Sequence, residues 1–126
     1  MNCQKACYRL YQETFHDSKA FADQLFLQYY DSGCRILQRD GQVVSMLFLL
    51  PMKLMDGRNA QYLFGAATDR RCRGKGYMSE LINRVLEANG CPLFLRPAAP
   101  DLRKFYQKFG FQDCIKMKTL HGCAKK

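Results

Sequence analysis

Residues 73–78, Arg-Gly-Lys-Gly-Tyr-Met, combine residue types and spacing that could hold a charged ligand. They follow an apolar stretch, Gln61–Ala67, within a segment (Ala60–Thr68) that reads as a strand. They precede a stretch in which Met78, Leu81, Ile82 and Val85 recur at helical spacing. A glycine-rich loop between strand and helix aims several backbone N–H groups at one point, and the positive end of the helix dipole reinforces them. Arg71, Arg73 and Lys75 add cationic side chains at the same place. The expected chemistry is a cradle for a diphosphate, although an ordinary basic loop standing alone would read much the same.

Other phosphate loops fit less well. Asp69 stands where the first glycine of a P-loop would be, and Lys75 is followed by Gly76 instead of Ser or Thr. A dinucleotide fingerprint would take Ser79 as its third small residue, and no acidic ribose ligand stands around Leu93–Arg96. The loop resembles the acyl-CoA-binding loop of the GNAT superfamily of N-acetyltransferases, Arg/Gln-x-x-Gly-x-Gly/Ala at the start of a helix. Arg71 to Gly76 matches that pattern formally. Arg73 to Met78 puts Gly76 immediately before the helix and is preferred, at the cost of a Met where the family usually has Gly or Ala.

A second segment carries the same resemblance. Pro92–Gly110 reads strand, loop, helix, with Leu102, Phe105, Tyr106 and Phe109 on one helical face and Gly110 as a C-cap. GNAT enzymes carry a similar helix, with Tyr four residues before a Gly-Phe pair, here Gly110-Phe111. Tyr106 alone would more often be a core aromatic; with the loop at this separation the functional reading wins.

The resemblance covers nearly the whole chain and implies an α+β fold, a three-layer α/β arrangement with a mixed, mostly antiparallel sheet flanked by helices. It implies acetyl-CoA as the acyl donor, a primary amine as acceptor, and no metal. It places the pantetheine arm along the third strand, almost as an added β-strand, where Ala66 and Ala67 are small enough to admit it. Backbone N–H groups near Ala66–Thr68 would stabilise the oxyanion of the thioester carbonyl. Arg71, Arg73, Gly74, Lys75, Gly76, Tyr77 and Met78 would hold the phosphates. Tyr106 would protonate the leaving thiolate, since a phenol with pKa near 10 stays protonated at neutral pH. No general base is assigned: Glu80 falls off the apolar face of its helix, Asp69 shapes the loop, and His16 and His121 have no motif around them.

The elements that must position these residues follow in order. A helix spans about Gln4–Phe15, and a second runs from an Asp17 or Ser18 cap to about Tyr30. Cys34–Gln38 and Val43–Leu50 read as strands joined through Asp40-Gly41, a strong hairpin signal. After the third strand and its loop, the helix runs to about Ala88, where Asn89-Gly90 and Pro92 end it. A strand at Leu93–Arg96, the Tyr106 helix and a last strand near Phe111–Thr119 complete the order. The family's usual first strand and closing strand are missing from this reading, since the chain opens in a helix and only Leu120–Lys126 remain at its end. Sheet edges left open in this way are normally covered or paired. A homodimer whose partners shield each other's sheet is therefore expected.

Length and composition agree. The 126 residues suit one domain, 1–126, with an independent core. No run of about 18 apolar residues spans a membrane, and Met1–Leu10 lacks the apolar core of a signal peptide. The seven cysteines are odd in number, contain no Cys-x-x-Cys and have only two histidines for company. Reduced thiols and a cytoplasmic location are expected, with neither zinc nor a disulfide framework. Cys72, between Arg71 and Arg73, would alkylate faster than the other thiols and be protected by bound CoA if its setting activates it, although an incidental exposed cysteine is the more ordinary reading.

Charge is uneven. Between Tyr11 and Gly33 four acids and one base give a net of −3, so the rest of the chain carries +12 of the overall +9. In GNAT enzymes the N-terminal helices border the acceptor site, so this asymmetry fits a cationic amine, but a solvated helix face accounts for it more readily. Two other classes stay open. A basic nucleic-acid-binding module is suggested by a pI of about 9.4, against which stand dispersed basic residues and no recognition motif. A GNAT-like domain that binds acyl-CoA without catalysis, or a fragment of a longer enzyme, would suit the missing strands and Met78.

Overall fold

The computed structural model describes residues 2–113 and 122–124. Two helices open the chain, α1 (Cys3–Phe15) and α2 (Lys19–Gly33). Asn2 caps the first, its side chain accepting from the Lys5 N–H. Ser18 caps the second by accepting from the Phe21 N–H at 3.1 Å. Strands β1 (Cys34–Arg39) and β2 (Gln42–Lys53) form the expected hairpin, in which Asp40 and Gly41 both take positive φ, as a tight hairpin turn requires. Strand β3 (Asn59–Thr68) leads through a single 3-10 turn, Arg70–Cys72, to α3 (Tyr77–Ala88). Strand β4 (Leu93–Leu95), α4 (Leu102–Gln107), β5 (Phe111–Asp113) and β6 (Gly122–Ala124) follow.

The described strands form one sheet in the order β1-β2-β3-β4-β6-β5. Every pairing is antiparallel except β3 with β4. Both faces are covered. Cys7, Leu10 and Tyr11 of α1 and Ala22, Leu25 and Phe26 of α2 pack with Met46, Phe48 and Ala67 on one side. Leu81, Ile82 and Val85 of α3 pack with Leu47, Leu63, Leu93 and Leu95 on the other, joined by Phe105, Tyr106 and Phe109. This is the three-layer, mostly antiparallel arrangement expected, and the chain's first element is indeed a helix.

Two boundaries differ from the sequence reading. Strand β2 continues through Pro51 to Lys53, although Pro51 lacks an N–H. It can, because β1 reaches only to Cys34↔Phe48, so the missing donor faces no strand there. Residues Gly122–Ala124 form β6 between β4 and β5, where no element was expected. A three-residue Gly-Cys-Ala segment carries no apolar alternation to reveal it. Of the strand expected near Phe111–Thr119, the part beyond Asp113 lies outside the described residues.

Close approach fixes the end of α2. A Cβ added to Gly33 would lie 2.6 Å from the Leu49 carbonyl oxygen of β2. Gly33→Ala gains about 1 kcal/mol of helix propensity, but overpacking of this kind costs about 1–3 kcal/mol. The clash is with backbone and cannot be relieved by a rotamer. Urea denaturation should therefore show Gly33→Ala less stable, by up to about 2 kcal/mol. A variant as stable as the parent would mean that α2 shifts freely on the sheet.

Among the described residues no helix is long and apolar enough to cross a membrane, and no group of three or more His, Cys, Asp or Glu could hold a metal. Cys3, Cys7, Cys34, Cys72 and Cys91 are free thiols. A hydrogen bond to Cys7, together with burial, pushes the Cys34 thiol up.

Candidate functional site

The sheet opens between β3 and β4. Their parallel pairing covers only Gln61↔Leu93, Tyr62↔Phe94 and Leu63↔Leu95. Strand β4 ends at Leu95, whereas β3 runs on to Thr68. From Phe64 to Thr68, therefore, no described strand pairs with β3 on that side, and backbone donors and acceptors there are available to a ligand.

A bulge reorients the same length of chain. Against β2 the register shifts between Met46↔Ala67 and Phe48↔Phe64, and Gly65 takes φ +66°. The extra residue changes which face each side chain meets. Leu63 and Ala66 pack toward α3, while Phe64 and Ala67 pack toward α1 and α2. Small side chains at Ala66 and Ala67 leave the backbone between them approachable. Gly65 is required twice: for its positive φ, and because a Cβ would lie 3.2 Å from the Tyr11 ring. The sequence reading did not single it out; its signal was an isolated glycine inside a strand pattern.

Beyond the bulge the chain is pinned before it turns. The Asp69 N–H donates to the Val44 carbonyl at 2.9 Å, and the buried Ser45 hydroxyl meets that of Thr68 at 2.8 Å. Asp69 then caps the 3-10 turn by accepting from the Arg71 N–H at 2.9 Å, and pairs with the Arg71 guanidinium at 3.1 Å. That pairing holds the Asp69 carboxyl below the usual carboxylate range. Arg71 is thus clamped by Asp69, and with Arg9, Leu10, Glu13 and Arg70 it lines a cavity of about 480 Å³ against α1. Arg73 lies closer to the opening, its Nε donating to the Thr68 carbonyl at 3.1 Å.

Gly74 and Gly76 both take left-handed φ, +79° and +80°. A Cβ at either would meet nothing within 4 Å, so the space in front of this backbone is open. Helix α3 starts at Tyr77, in agreement with the register that puts Gly76 just before it. Gly76 offers no side-chain cap, and the first helical bond runs from the Glu80 N–H to the Gly76 carbonyl at 3.0 Å. The earlier N–H groups of the first turn, on Tyr77, Met78 and Ser79, have no acceptor within the helix. Lys75 is exposed between the two glycines. Tyr77 and Met78 lean onto the apolar layer beneath, so Met78 occupies core space while its N–H stays in the turn. Cys72 is half-buried against the same layer.

Arg39, read from the sequence only as part of the hairpin connection, braces the helix start. Its guanidinium lies 5.6 Å from the centre of the Tyr77 ring and pairs with Glu80. Glu80 also pairs with Arg84 at 2.7 Å, and these cations, Arg39 first, hold its carboxyl down. A carboxylate fixed in this way is a poor proton acceptor.

Tyr106 sits in α4 and packs on the layer that Ala66, Tyr77 and Met78 also touch. Its ring meets Phe105 and Phe111 edge to face at 5.2 and 5.9 Å. Burial pushes its phenol above the ordinary value. Among the described residues its hydroxyl has no hydrogen-bond partner. The loop, the open length of β3 and Tyr106 therefore share one side of the sheet, with Ala67 turned to the other.

The family model for the acetyltransferase (GNAT) family matches residues 4–111. An acyl-CoA N-acyltransferase from Pseudomonas aeruginosa superposes with TM-score 0.74 at 20% identity, over 99% of this chain and 92% of that one. A GNAT-family N-acetyltransferase (YhbS) from Escherichia coli, solved in complex with CoA, gives 0.73 at 16% identity, over 97% and 75%. A GCN5-related N-acetyltransferase from Anabaena variabilis gives 0.72 at 18% identity. It matches 87% of this chain, which spans only 29% of that longer protein. No curated protein sequence matches significantly. With 108 consecutive residues under the family model and the same fold in these structures, the chain belongs to the GNAT acetyltransferase family.

Proposed function

We propose that the protein transfers the acetyl group of acetyl-CoA to a primary amine by direct attack. The observation that carries this reading is the open Gly74–Gly76 backbone standing beside an unpaired length of β3. A diphosphate fits where a Cβ would otherwise point, and an extended pantetheine fits where a neighbouring strand would otherwise lie. The CoA bound to the Escherichia coli neighbour supports the same choice of ligand. Arg73 and Lys75 supply positive charge at this mouth, and Arg71 contributes mainly through the Asp69 clamp that shapes the turn.

Acetyl-CoA supplies an activated thioester. The chain orients it along Phe64–Thr68, where outward N–H groups meet the charge that develops on the carbonyl oxygen. As the C–N bond forms and the C–S bond breaks, Tyr106 gives its phenolic proton to the departing sulfur. The proton lost from the amine passes to solvent, since Glu80 is held by two arginines. Because Tyr106 acts while protonated and its pKa is raised, activity should be lost only as pH rises through that raised value. The alkaline limb of kcat assigned to Tyr106 should therefore fall above the range of an ordinary phenol. A limb near neutrality that disappears in Tyr106→Phe would contradict the assignment.

Isothermal titration with acetyl-CoA and with CoA tests the reading first. Binding near micromolar, followed by acetylation of a primary amine detected as released thiol, is the expected result. Binding with no turnover on any amine would make this a CoA-binding domain without catalysis. No binding would remove the cofactor assignment.

A further inference from the structure

We infer that the acceptor is a small arylalkylamine, read by an aromatic wall that Phe21 and Phe64 form on the α1–α2 face. This rests on the acetyl-transfer reading above and narrows its acceptor. Phe64 is the first β3 residue past the last pairing with β4, Leu63↔Leu95. Its side chain turns toward α1 and α2. The Phe21 ring of α2 meets it edge to face at 6.2 Å, and the Tyr62 ring stacks with it at 6.4 Å and 29°. Phe21 is 47% exposed, one of the few large apolar side chains left open to solvent among the described residues.

Geometry makes this wall the acceptor's side. The diphosphate cradle opens at the start of α3, so the cofactor reaches the open edge of β3 from the α3 layer. Direct attack requires the amine nitrogen about 3–3.5 Å from the thioester carbon. The amine must therefore approach the same edge from the face the cofactor leaves free, which is the face of Phe64, Phe21 and Ala67. A ring stacked there carries its amino group across the edge.

Charge selects in the same direction. Tyr11, beneath Phe64 at 6.5 Å between ring centres, donates to Asp17 at 2.5 Å in the turn between α1 and α2. Over Tyr11–Gly33 the net charge is −3, and its one lysine, Lys19, is taken up by Asp23 at 2.7 Å. An amine cation is drawn to this face by α1 and α2, and the cation that acts on the wall from the sheet side is Arg96, beside Tyr62. Polyamines gain nothing from the rings, and an acceptor without an aromatic ring leaves the Phe21–Phe64 surface unused.

The test compares 2-phenylethylamine, n-hexylamine, spermidine and glycine as acceptors by kcat/KM, in the parent and in Phe21→Ala. The expected order puts 2-phenylethylamine first, and Phe21→Ala lowers its ratio to n-hexylamine about 2- to 10-fold, the range of one lost aromatic contact. Equal use of n-hexylamine or spermidine, or a ratio untouched by Phe21→Ala, would overturn the inference while leaving acetyl transfer intact. Binding is read separately by titrating 2-phenylethylamine into the CoA-saturated protein and following ring resonances by NMR. Shifts in the aromatic signals lost in Phe21→Ala are expected even if turnover is absent. Unperturbed aromatic signals at millimolar amine would refute the site independently of catalysis.

Discussion

Tyr106→Phe should lower kcat for acetyl transfer by about 100-fold or more, with the dissociation constant for acetyl-CoA changed by no more than about threefold. The substitution removes one hydroxyl and keeps the ring, so the edge-to-face contacts with Phe105 and Phe111 survive. Among the described residues that hydroxyl bonds nothing, so its loss leaves no orphaned partner and the fold should hold. What is lost is the proton for the departing sulfur. General acid catalysis is worth about 10²- to 10⁴-fold, and a thiolate is a fair leaving group, so the lower end is expected. Stopped-flow turnover beside calorimetric binding separates the two terms. Unchanged kcat would remove Tyr106 from the chemistry and leave it a core aromatic.

Gly76→Glu should raise the dissociation constant of acetyl-CoA by about 100-fold or more. Two effects add in the ligand complex. A carboxylate would stand beside the phosphate charge, and the side chain would fill the open space in front of the Gly74–Gly76 backbone. Losing two charge-assisted N–H contacts at about 1.5 kcal/mol each gives roughly that factor. In the free protein the cost is smaller. A Cβ at Gly76 meets nothing within 4 Å, so only the left-handed φ of +80° is penalised, by about 1–2 kcal/mol. Calorimetry should therefore show binding weakened about 100-fold or more, while the melting temperature falls by only about 4–8 °C. A collapse of melting temperature equal to the loss of binding would mean that Gly76 serves the fold and not the ligand.

Much of this was legible in the chain. Hairpin chemistry at Asp40-Gly41 placed β1 and β2, and helical spacing from Met78 fixed the start of α3 beside the two glycines. Those signals are local, so local physics expresses them faithfully. The features that escaped are set by contacts distant in sequence. Gly65 reads as any strand glycine until Tyr11 is seen 3.2 Å from its absent Cβ. The Asp69 partner of Arg71 is not visible in the spacing of the loop, and Arg39 reads as a hairpin residue until it reaches Glu80 of α3. Strand β6 depends wholly on β4 and β5 for its pairing. The acids of α1 and α2 divide similarly: Asp23 is spent on Lys19 and Tyr8, and Asp17 accepts from Tyr11, whose ring lies against Phe64.

The short seam between β3 and β4 makes the protein's sheet unfinished by construction. Most sheets hide their raw edges at the rim, with charge, proline or a covering helix. Here a raw edge lies in the interior, between two strands that part after Leu63 and Leu95. Arg73 takes the Thr68 carbonyl, no described strand takes the other groups, and nothing in the backbone distinguishes a pantetheine from any other extended chain. If acyl-CoA binds as proposed, it would act as a structural member, completing by hydrogen bonds what the polypeptide left undone. A cell holding this protein short of CoA would hold it with an open template, and the cofactor would protect the sheet from the wrong partner as well as equip it for reaction.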